Sequence, residues 1–234
     1  MRTFLTAAAL ALILAAPTGA ATRNFGITSF EKIRVEGPFK VRLTTGVAPF
    51  ASASGSSAAI DRVAIDMRGN TLVVHSNTSS WGGYPGQDGG TVEISLGTHD
   101  LSSAWLNGSG TLAIDKVKGL SFDLSVAGSG GATISQTNVD QLNVAVTGTA
   151  NASLSGQADR LTAVVRGISS LDVAKLAAKD ATIGAEGTAT IVANVSDSVK
   201  IDGSGLATIK LTGGPACTLR VSNSTSVSGC KSTQ

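Results

Sequence analysis

The segment LSVAGSGGATISQTNVDQLNVAVTGTANASL, residues 124–154, shows the pattern that decides the fold of this chain. Apolar and polar residues alternate on both sides of two glycine-centred turns, at Gly128 and Gly148, which is typical of short β-strands with one buried face. The two turns are twenty residues apart, and the apolar residues around the second occupy the same offsets as those around the first. A unit of short strands repeated at this period predicts a β-solenoid with one unit per coil.

The same unit extends in both directions from this segment. The glycines that end a strand, and that we assign as repeat turns, are Gly108, Gly128, Gly148, Gly167, Gly187 and Gly203. Asn223 follows twenty residues after the last of them, and asparagine tolerates positive φ better than most non-glycine residues. Apolar residues recur four and six positions after each glycine. The apolar period of two argues against a mainly helical fold.

Stacking of these coils follows from their small size. One coil has too little inward surface to form a core alone, so each coil must cover its neighbours. Strands of successive coils then lie about 4.8 Å apart, and six coils form a rod section about 30 Å long. An antiparallel meander or sandwich, whose strands recur about every 8–12 residues, is the alternative. We favour the solenoid because the whole unit recurs, with matching side chains at matching offsets.

The chain divides by pattern into two parts of one domain. Residues 21–98 form an N-terminal β portion that alternates without the twenty-residue repeat, and residues 99–234 form the repetitive solenoid portion. The predicted fold class is therefore all-β, a solenoid of coils of about twenty residues preceded by a β-hairpin-rich part.

Local signals place a hairpin and two loops in the N-terminal part. Alternating segments at 63–67 and 72–74, joined by the turn sequence at 68–70, predict the hairpin. Small and polar residues at 48–59 predict one loop, and the glycine-rich stretch at 76–90 predicts the other.

The first twenty residues have the composition of a secretory signal peptide. Arg2 supplies the positive charge, residues 4–16 are apolar and uncharged, and cleavage is expected after Ala20 or Ala21. The apolar run is too short to span about 30 Å of hydrocarbon, and no later segment is apolar enough. We therefore expect an exported protein whose mature form has no transmembrane segment.

Charge and cysteine content limit the partners and the compartment. Formal net charge is +2, and basic residues are scattered, which argues against nucleic acid as a partner. Cys217 and Cys230 are the two cysteines, and in an oxidising compartment a separation of thirteen residues is easily closed into a disulfide that clamps a C-terminal cap. Two unpaired thiols are the alternative. A zinc site is disfavoured because His75 and His99 are the only histidines.

Two sets of residues carry the family resemblance. The segment FEKIRVEGPFKVRLTTG occupies residues 30–46, and Gly-Ser-Gly recurs at 108–110, 128–130 and 203–205. Together they resemble the bacterial head GIN domain family, described as "putative auto-transporter adhesin", over residues of about 25–221. The resemblance implies a right-handed β-helix-like fold exported to the periplasm or the exterior of a Gram-negative bacterium. It brings no ligand-binding or catalytic residues.

The residues give little support to an enzymatic function. Asp140 and Asp159 lie at similar offsets in adjacent units, as a glycosidase's two carboxylates would, but such positions are typical of solvated outer corners. His75 ends a strand and His99 opens a turn, and neither accompanies a Gly-x-Ser-x-Gly nucleophile motif. We expect no catalytic residues, no metal site and no cofactor.

The aromatic loop Trp81-Gly-Gly-Tyr84 is the strongest candidate for ligand binding. Exposed aromatic rings with polar edges suit stacking on sugars or anchoring of a partner, although a loop with no ligand is the alternative. The first functional hypothesis is a non-enzymatic adhesin-like or structural envelope protein that meets a cell-surface or extracellular glycan or protein. A carbohydrate-binding module using Trp81 and Tyr84 is the second, and a polysaccharide-degrading β-helix enzyme is the least favoured.

Overall fold

The computed structural model describes residues 21–77, 91–222 and 224–231. Within these residues the chain forms one β-sheet of sixteen strands and one short helix. The first elements are β1 (Ala21–Phe25), β2 (Lys32–Glu36), β3 (Lys40–Thr45), β4 (Phe50–Gly55), α1 (Ser57–Ile60), β5 (Val63–Arg68), β6 (Thr71–Ser76) and β7 (Glu93–Thr98). They are followed by β8 (Ser103–Gly108), β9 (Thr111–Gly128), β10 (Gly131–Gly148), β11 (Asn151–Gly167), β12 (Ser170–Gly187), β13 (Thr190–Gly205), β14 (Thr208–Thr212), β15 (Ala216–Val221) and β16 (Ser226–Ser228).

The predicted β-solenoid is confirmed. Each of β9 to β13 runs for 16–18 residues around one coil, and each pairs in parallel with the next. A strand of ordinary length is about five or six residues, so each of these long elements contains several sides of a coil. Stacking places Gly108, Gly128, Gly148, Gly167 and Gly187 in one column, and all five have positive φ.

The assignment of Gly203 as the sixth repeat turn is wrong. Gly205 is the residue that pairs with Gly187, and it has a φ of +81°, whereas Gly203 pairs with Ala185 and is buried. The register between β12 and β13 shifts after Val173, so this coil takes a shorter path around one corner. Gly203 is the first residue of a Gly-Ser-Gly motif. In the earlier motifs the first glycine is the turn residue, whereas here it is the last, Gly205. Asn223 lies outside the described residues.

The N-terminal strands are built into the same stack. Strand β2 pairs in parallel with β6 and β8, and β3 pairs in parallel with β7 and β9. The coil formed by β2 and β3 therefore lies between the coil formed by β6 and β7 and the coil that β8 begins. Because a later segment of the chain stacks outside an earlier one, the spatial order of coils differs from their order in the sequence.

One predicted N-terminal feature is confirmed and one is wrong. Strands β5 and β6 form the predicted antiparallel hairpin, with Gly69 at its turn. The predicted loop at 48–59 instead contains β4 and α1. Its buried residues Ala51 and Ala53 alternate with serines, and alanine is too weakly hydrophobic for this alternation to stand out in the sequence. Strand β6 extends to Ser76, and most of the predicted loop at 76–90 lies outside the described residues.

The core runs along the inside of the stacked coils. Its buried side chains are mostly Leu, Ile, Val and Ala, and it forms one continuous cluster from Phe30 to Leu211. Columns of the core mix sizes: Leu112, Ala132, Ala152, Leu171, Ile191 and Ile209 lie over one another. Small and large residues are mixed because all coils share one narrow interior, which close-packed side chains must fill.

A buried serine interrupts one of the core columns. Ser169 occupies the position that Ala150 and Ala189 fill in the neighbouring coils, and its hydroxyl has no hydrogen-bond partner. Ser169→Ala is expected to raise the free energy of unfolding by about 1 kcal/mol, since an unpaired buried hydroxyl costs about 1–3 kcal/mol. Urea unfolding followed by circular dichroism measures the change. Ser170→Ala removes an exposed hydroxyl next to it and should change stability by less than about 0.5 kcal/mol; equal effects of the two would contradict the argument.

The C-terminal end of the stack is closed by a disulfide. Cys217 in β15 is bonded to Cys230, and their Cα atoms are 5.7 Å apart. Leu219 and Val221 face the direction in which the core continues, yet 46% and 37% of their surfaces are exposed, since no described coil covers them. The disulfide therefore fixes a coil that has neighbours on one side only.

Removal of this disulfide should loosen the last coil. The double variant Cys217→Ser/Cys230→Ser is expected to lose about 3 kcal/mol of stability in β15 and β16, the value for closing a loop of about fifteen residues. Hydrogen exchange would show faster exchange in these two strands and unchanged protection in β10. Exchange in β15 and β16 that matches the oxidised protein would contradict the prediction. Reductant should have no effect on the double variant.

Candidate functional site

A row of polar side chains lies along one corner of the stack, and it contains the two sequence-predicted carboxylates. Val139, Ala158 and Ala178 are paired across β10, β11 and β12, so the residues that follow them project from adjacent coils. Those residues are Asp140, Asp159 and Lys179. The Lys179 Nζ lies 2.8 Å from the Asp159 Oδ1. The hydrogen bond with Asp159 and the charges of Asp159, Asp197 and Asp140 raise the pKa of Lys179.

This corner suits hydrogen bonding better than acid–base catalysis. It borders an open depression of about 460 Å³ whose polar lining includes Asn138, Asp140, Gln157, Asp159, Lys179 and Ser196. Gln157 Nε2 donates a hydrogen bond to Asn138 Oδ1 at 2.9 Å, so amides and charged groups are already joined across coils. More than half of the Asp159 and Lys179 side-chain surfaces are exposed. A glycosidase instead places two carboxylates on opposite sides of a bound sugar.

The two histidines lie in the N-terminal coils. His75 in β6 is within hydrogen-bond distance of Asp66 through Nε2, at 2.7 Å, and of the Ser76 carbonyl through Nδ1, at 3.0 Å. The hydrogen bond with Asp66 raises the pKa of His75. The His99 carbonyl accepts a hydrogen bond from the Gly46 N–H. Across the described parts of the chain, no group of three or more His, Cys, Asp or Glu side chains could hold a metal ion.

The aromatic pair Trp81 and Tyr84 lies outside the described residues, so its predicted role stays a prediction. The structure draws attention to a different aromatic residue. Trp105 in β8 projects from the sheet with 36% of its surface exposed. The sequence contains a signal for this position. Inward side chains lie two and four residues before the turn glycine Gly108, so Trp105, three residues before it, belongs to the outer face.

Isolated apolar side chains are exposed at other outer positions. Leu120 is 78% exposed at a corner, and Ile168 and Leu206 are 70% and 66% exposed in the turns that follow Gly167 and Gly205. Single exposed apolar residues are common on proteins and require no special explanation.

The fold and the outer surface define a class of protein, a β-solenoid with a polar, shallowly grooved exterior. No helix in the described residues is long and apolar enough to cross a membrane. The family model described as "Putative auto-transporter adhesin, head GIN domain" matches residues 29–215. The chain belongs to this family, which confirms the resemblance seen in the sequence. None of the curated proteins is similar enough to this chain to match it.

Solved structures share the fold. A protein of Bacteroides fragilis described as a putative adhesin is 19% identical, with a TM-score of 0.73 over 90% of this chain and 93% of the other. A protein of Parabacteroides distasonis described as a putative lipid binding protein is 17% identical, with a TM-score of 0.71 over 90% and 96%. A putative adhesin of Parabacteroides merdae is 16% identical, with a TM-score of 0.66 over 90% and 96%.

Proposed function

We propose that this chain is an exported, non-enzymatic protein of the cell envelope or exterior that acts as an adhesin-like or structural β-solenoid. The observation that carries the proposal is a set of side-chain contacts that join neighbouring coils on the outer surface. The pairs are Asn143–Asp123, Gln157–Asn138, Lys179–Asp159, Arg166–Glu186 and Ser198–Asp180, each between residues 18–20 positions apart.

These contacts fix polar groups in an array that repeats at the strand spacing of about 4.8 Å. A surface ordered before binding loses less side-chain entropy when a partner arrives, and each immobilised side chain otherwise costs about 0.5–1.5 kcal/mol. A repetitive outer surface also suits a repetitive partner. The partner class we propose is therefore a glycan or protein of a cell surface or of the extracellular space.

Three observations support export. The composition of residues 1–20 is that of a signal peptide. The Cys217–Cys230 disulfide closes the C-terminal coil, and disulfides persist mainly in oxidising compartments. The family description also refers to adhesins, which act outside the cytoplasm. Together these observations favour the periplasm or the cell exterior.

The non-enzymatic part of the proposal rests on the carboxylates and on the family. Asp159 is paired with Lys179 and is open to solvent, and Asp140 lies on the same exposed corner. The family is described by adhesion and not by a reaction.

Cell binding by the purified mature chain tests the proposal. Fluorescently labelled protein should bind bacterial or host cells saturably, and excess unlabelled protein should displace it. Fractionation of the producing bacterium should recover the protein in the periplasm, the envelope or the medium. Recovery in the cytoplasm would contradict export, and binding that is neither saturable nor displaced would contradict the adhesin-like role. Labelled Lys179→Ala/Arg166→Ala protein tests the ordered array directly, because it breaks two of the inter-coil pairs.

A further inference from the structure

Trp105 lies at one end of a row of small side chains on the outer face. In the stacked strands its neighbours are Arg34 on one side and Ser125 on the other. Beyond Ser125 the row continues through Ala145, Val164 and Gly184. These four residues are half-buried although they face outward. At about 4.8 Å per strand, the distance from Trp105 to the end of the row is about 19 Å.

Side chains that are polar except for Ala127 border this row on both sides. One border consists of Ser103, Asp123, Asn143, Thr162 and Thr182, and the other consists of Asn107, Ala127, Thr147, Arg166 and Glu186. Each border is two residues along the strand from the row, or about 7 Å. The row and its borders form a shallow trough, which we call the Trp105 trough.

Several members of the borders are held in place by their neighbours. Asn143 Nδ2 donates a hydrogen bond to Asp123 Oδ1 at 2.8 Å. The Arg166 Nε lies 3.0 Å from a Glu186 carboxylate oxygen. Arg34, beside Trp105, is paired with Glu36 at 2.7 Å. Both arginines have a carboxylate partner, so neither leaves an uncompensated positive charge in the trough, and Asp123 keeps its negative charge beside a neutral amide.

Ser103 supplies an independent indication of a missing partner. It is the first member of one border and lies two residues before Trp105, so strand alternation places both side chains on the same face. It is 3% exposed, and its hydroxyl has no hydrogen-bond partner. Buried hydroxyls are normally paired, because an unpaired one loses its hydrogen bonds to water without replacement.

We propose that the Trp105 trough binds a neutral glycan chain, with one sugar ring stacked on the Trp105 indole. A sugar ring has an apolar face that suits an aromatic ring and hydroxyl groups at its edge that suit amides, carboxylates and hydroxyls. The small side chains of the row let further sugar units approach the sheet, and the borders offer donors and acceptors on both sides. With its arginines paired and the Asp123 carboxylate uncompensated, the trough disfavours a polyanion, so we assign it a neutral glycan.

This inference rests on the proposed function, since it names the ligand class of an adhesin-like surface, and it differs from the aromatic-loop hypothesis in the residues involved. Two substitutions test the trough at its two ends. Trp105→Ala removes the stacking ring. Gly184→Gln fills the far end, where φ is ordinary and an added Cβ lies 3.7 Å or more from its neighbours, so the fold should accept it.

The probes are immobilised cello-, chito-, manno- and xylo-oligosaccharides, presented to the mature chain. Binding to at least one of them should fall tenfold or more in Trp105→Ala, because a few aromatic anchors supply most of the energy of such contacts, and in Gly184→Gln, because the added side chain blocks the row. Leu120→Ala, which removes an exposed apolar side chain at another corner, and the loop variant Trp81→Ala/Tyr84→Ala should bind as the unmodified chain does. Ser103→Ala should weaken binding while raising thermal stability.

Fluorescence supplies a readout that assigns the binding to one residue. The chain has two tryptophans, so in Trp81→Phe protein Trp105 is the sole indole, and the oligosaccharide that binds should shift or quench its emission. The inference is overturned if no oligosaccharide binds, or if binding survives both trough substitutions.

The cell-binding assay separates this failure from failure of the proposed function. Cell binding that survives in Trp105→Ala would be consistent with an adhesin-like role, but it would overturn the assignment of the Trp105 trough as the glycan-binding site. Cell binding abolished by protease treatment of the cells, without any oligosaccharide binding, would point to a protein partner and likewise overturn it. Absence of cell binding by the unmodified chain would count against the proposed function itself.

Discussion

Phe122→Ala is expected to lower the free energy of unfolding by about 3–5 kcal/mol, the usual cost of replacing a fully buried phenylalanine with alanine. The Phe122 side chain has no exposed surface, and it is among the largest of the fully buried residues in the core. Its neighbour across the coils is Leu142, which is also fully buried. Removal of the ring leaves a cavity that long strands bonded on both sides cannot close. Urea unfolding monitored by circular dichroism measures the loss.

Leu120 provides the matched control two residues away. Its side chain is 78% exposed, so Leu120→Ala should change the free energy of unfolding by less than about 0.5 kcal/mol. A similar cost for both substitutions would show that the inner side chains of the coil do not carry its stability. The argument that buried inward side chains stabilise the stacked coils would then be wrong.

The predicted fold depended on inward side chains, and it succeeded where those side chains are strongly apolar. Alternating Leu, Ile and Val around glycine turns were sufficient to predict stacked coils and the β5–β6 hairpin. Strand β4 was missed because Ala51 and Ala53 bury little surface each, so the alternation with serine resembles a loop. Hydrophobic patterning identifies a strand only when the buried side chains differ clearly from the exposed ones.

Register and the order of coils were harder to predict, for topological reasons. Gly203 and Gly205 belong to one Gly-Ser-Gly motif, and only the pairing of β13 with β12 decides which glycine turns the chain. Likewise, the placement of β2 and β3 between coils that come later in the sequence is a long-range pairing. Local sequence carries no signal for either, since both choices preserve the same local alternation.

The outer surface was predicted least, because the fold constrains it least. Asp140 and Asp159 were expected on neighbouring coils and are found on one corner, but the partner Lys179 was not anticipated. Only its position three residues before Gly108 assigns Trp105 to the outer face, because a tryptophan in an alternating strand can equally lie in the core. Outward-facing positions can hold any residue that leaves the inner column intact. The residues available for function in this fold are therefore ones with little effect on folding.

Gly156→Ala is expected to destabilise the protein by about 2–5 kcal/mol. Gly156 has a φ of +123°, and an added Cβ would overlap the Thr137 carbonyl oxygen of the coil beneath and lie 2.5 Å from its nitrogen. The left-handed conformation costs an L-residue about 1–2 kcal/mol, and overpacking against backbone costs about 1–3 kcal/mol more. Because Thr137 is held in its own strand pairing, it cannot move away without disturbing the register of β10 and β11. Urea unfolding of the purified variant measures the cost.

Gly119→Ala separates the two contributions. Gly119 also has a positive φ, +141°, but an added Cβ there would meet nothing within 4 Å. It should therefore show only the conformational cost of about 1–2 kcal/mol. If Gly156→Ala costs no more than Gly119→Ala, close approach between successive coils is not what requires glycine at position 156. A larger cost at Gly156 would show that the distance between stacked backbones, as well as the shape of the turn, selects glycine in this fold.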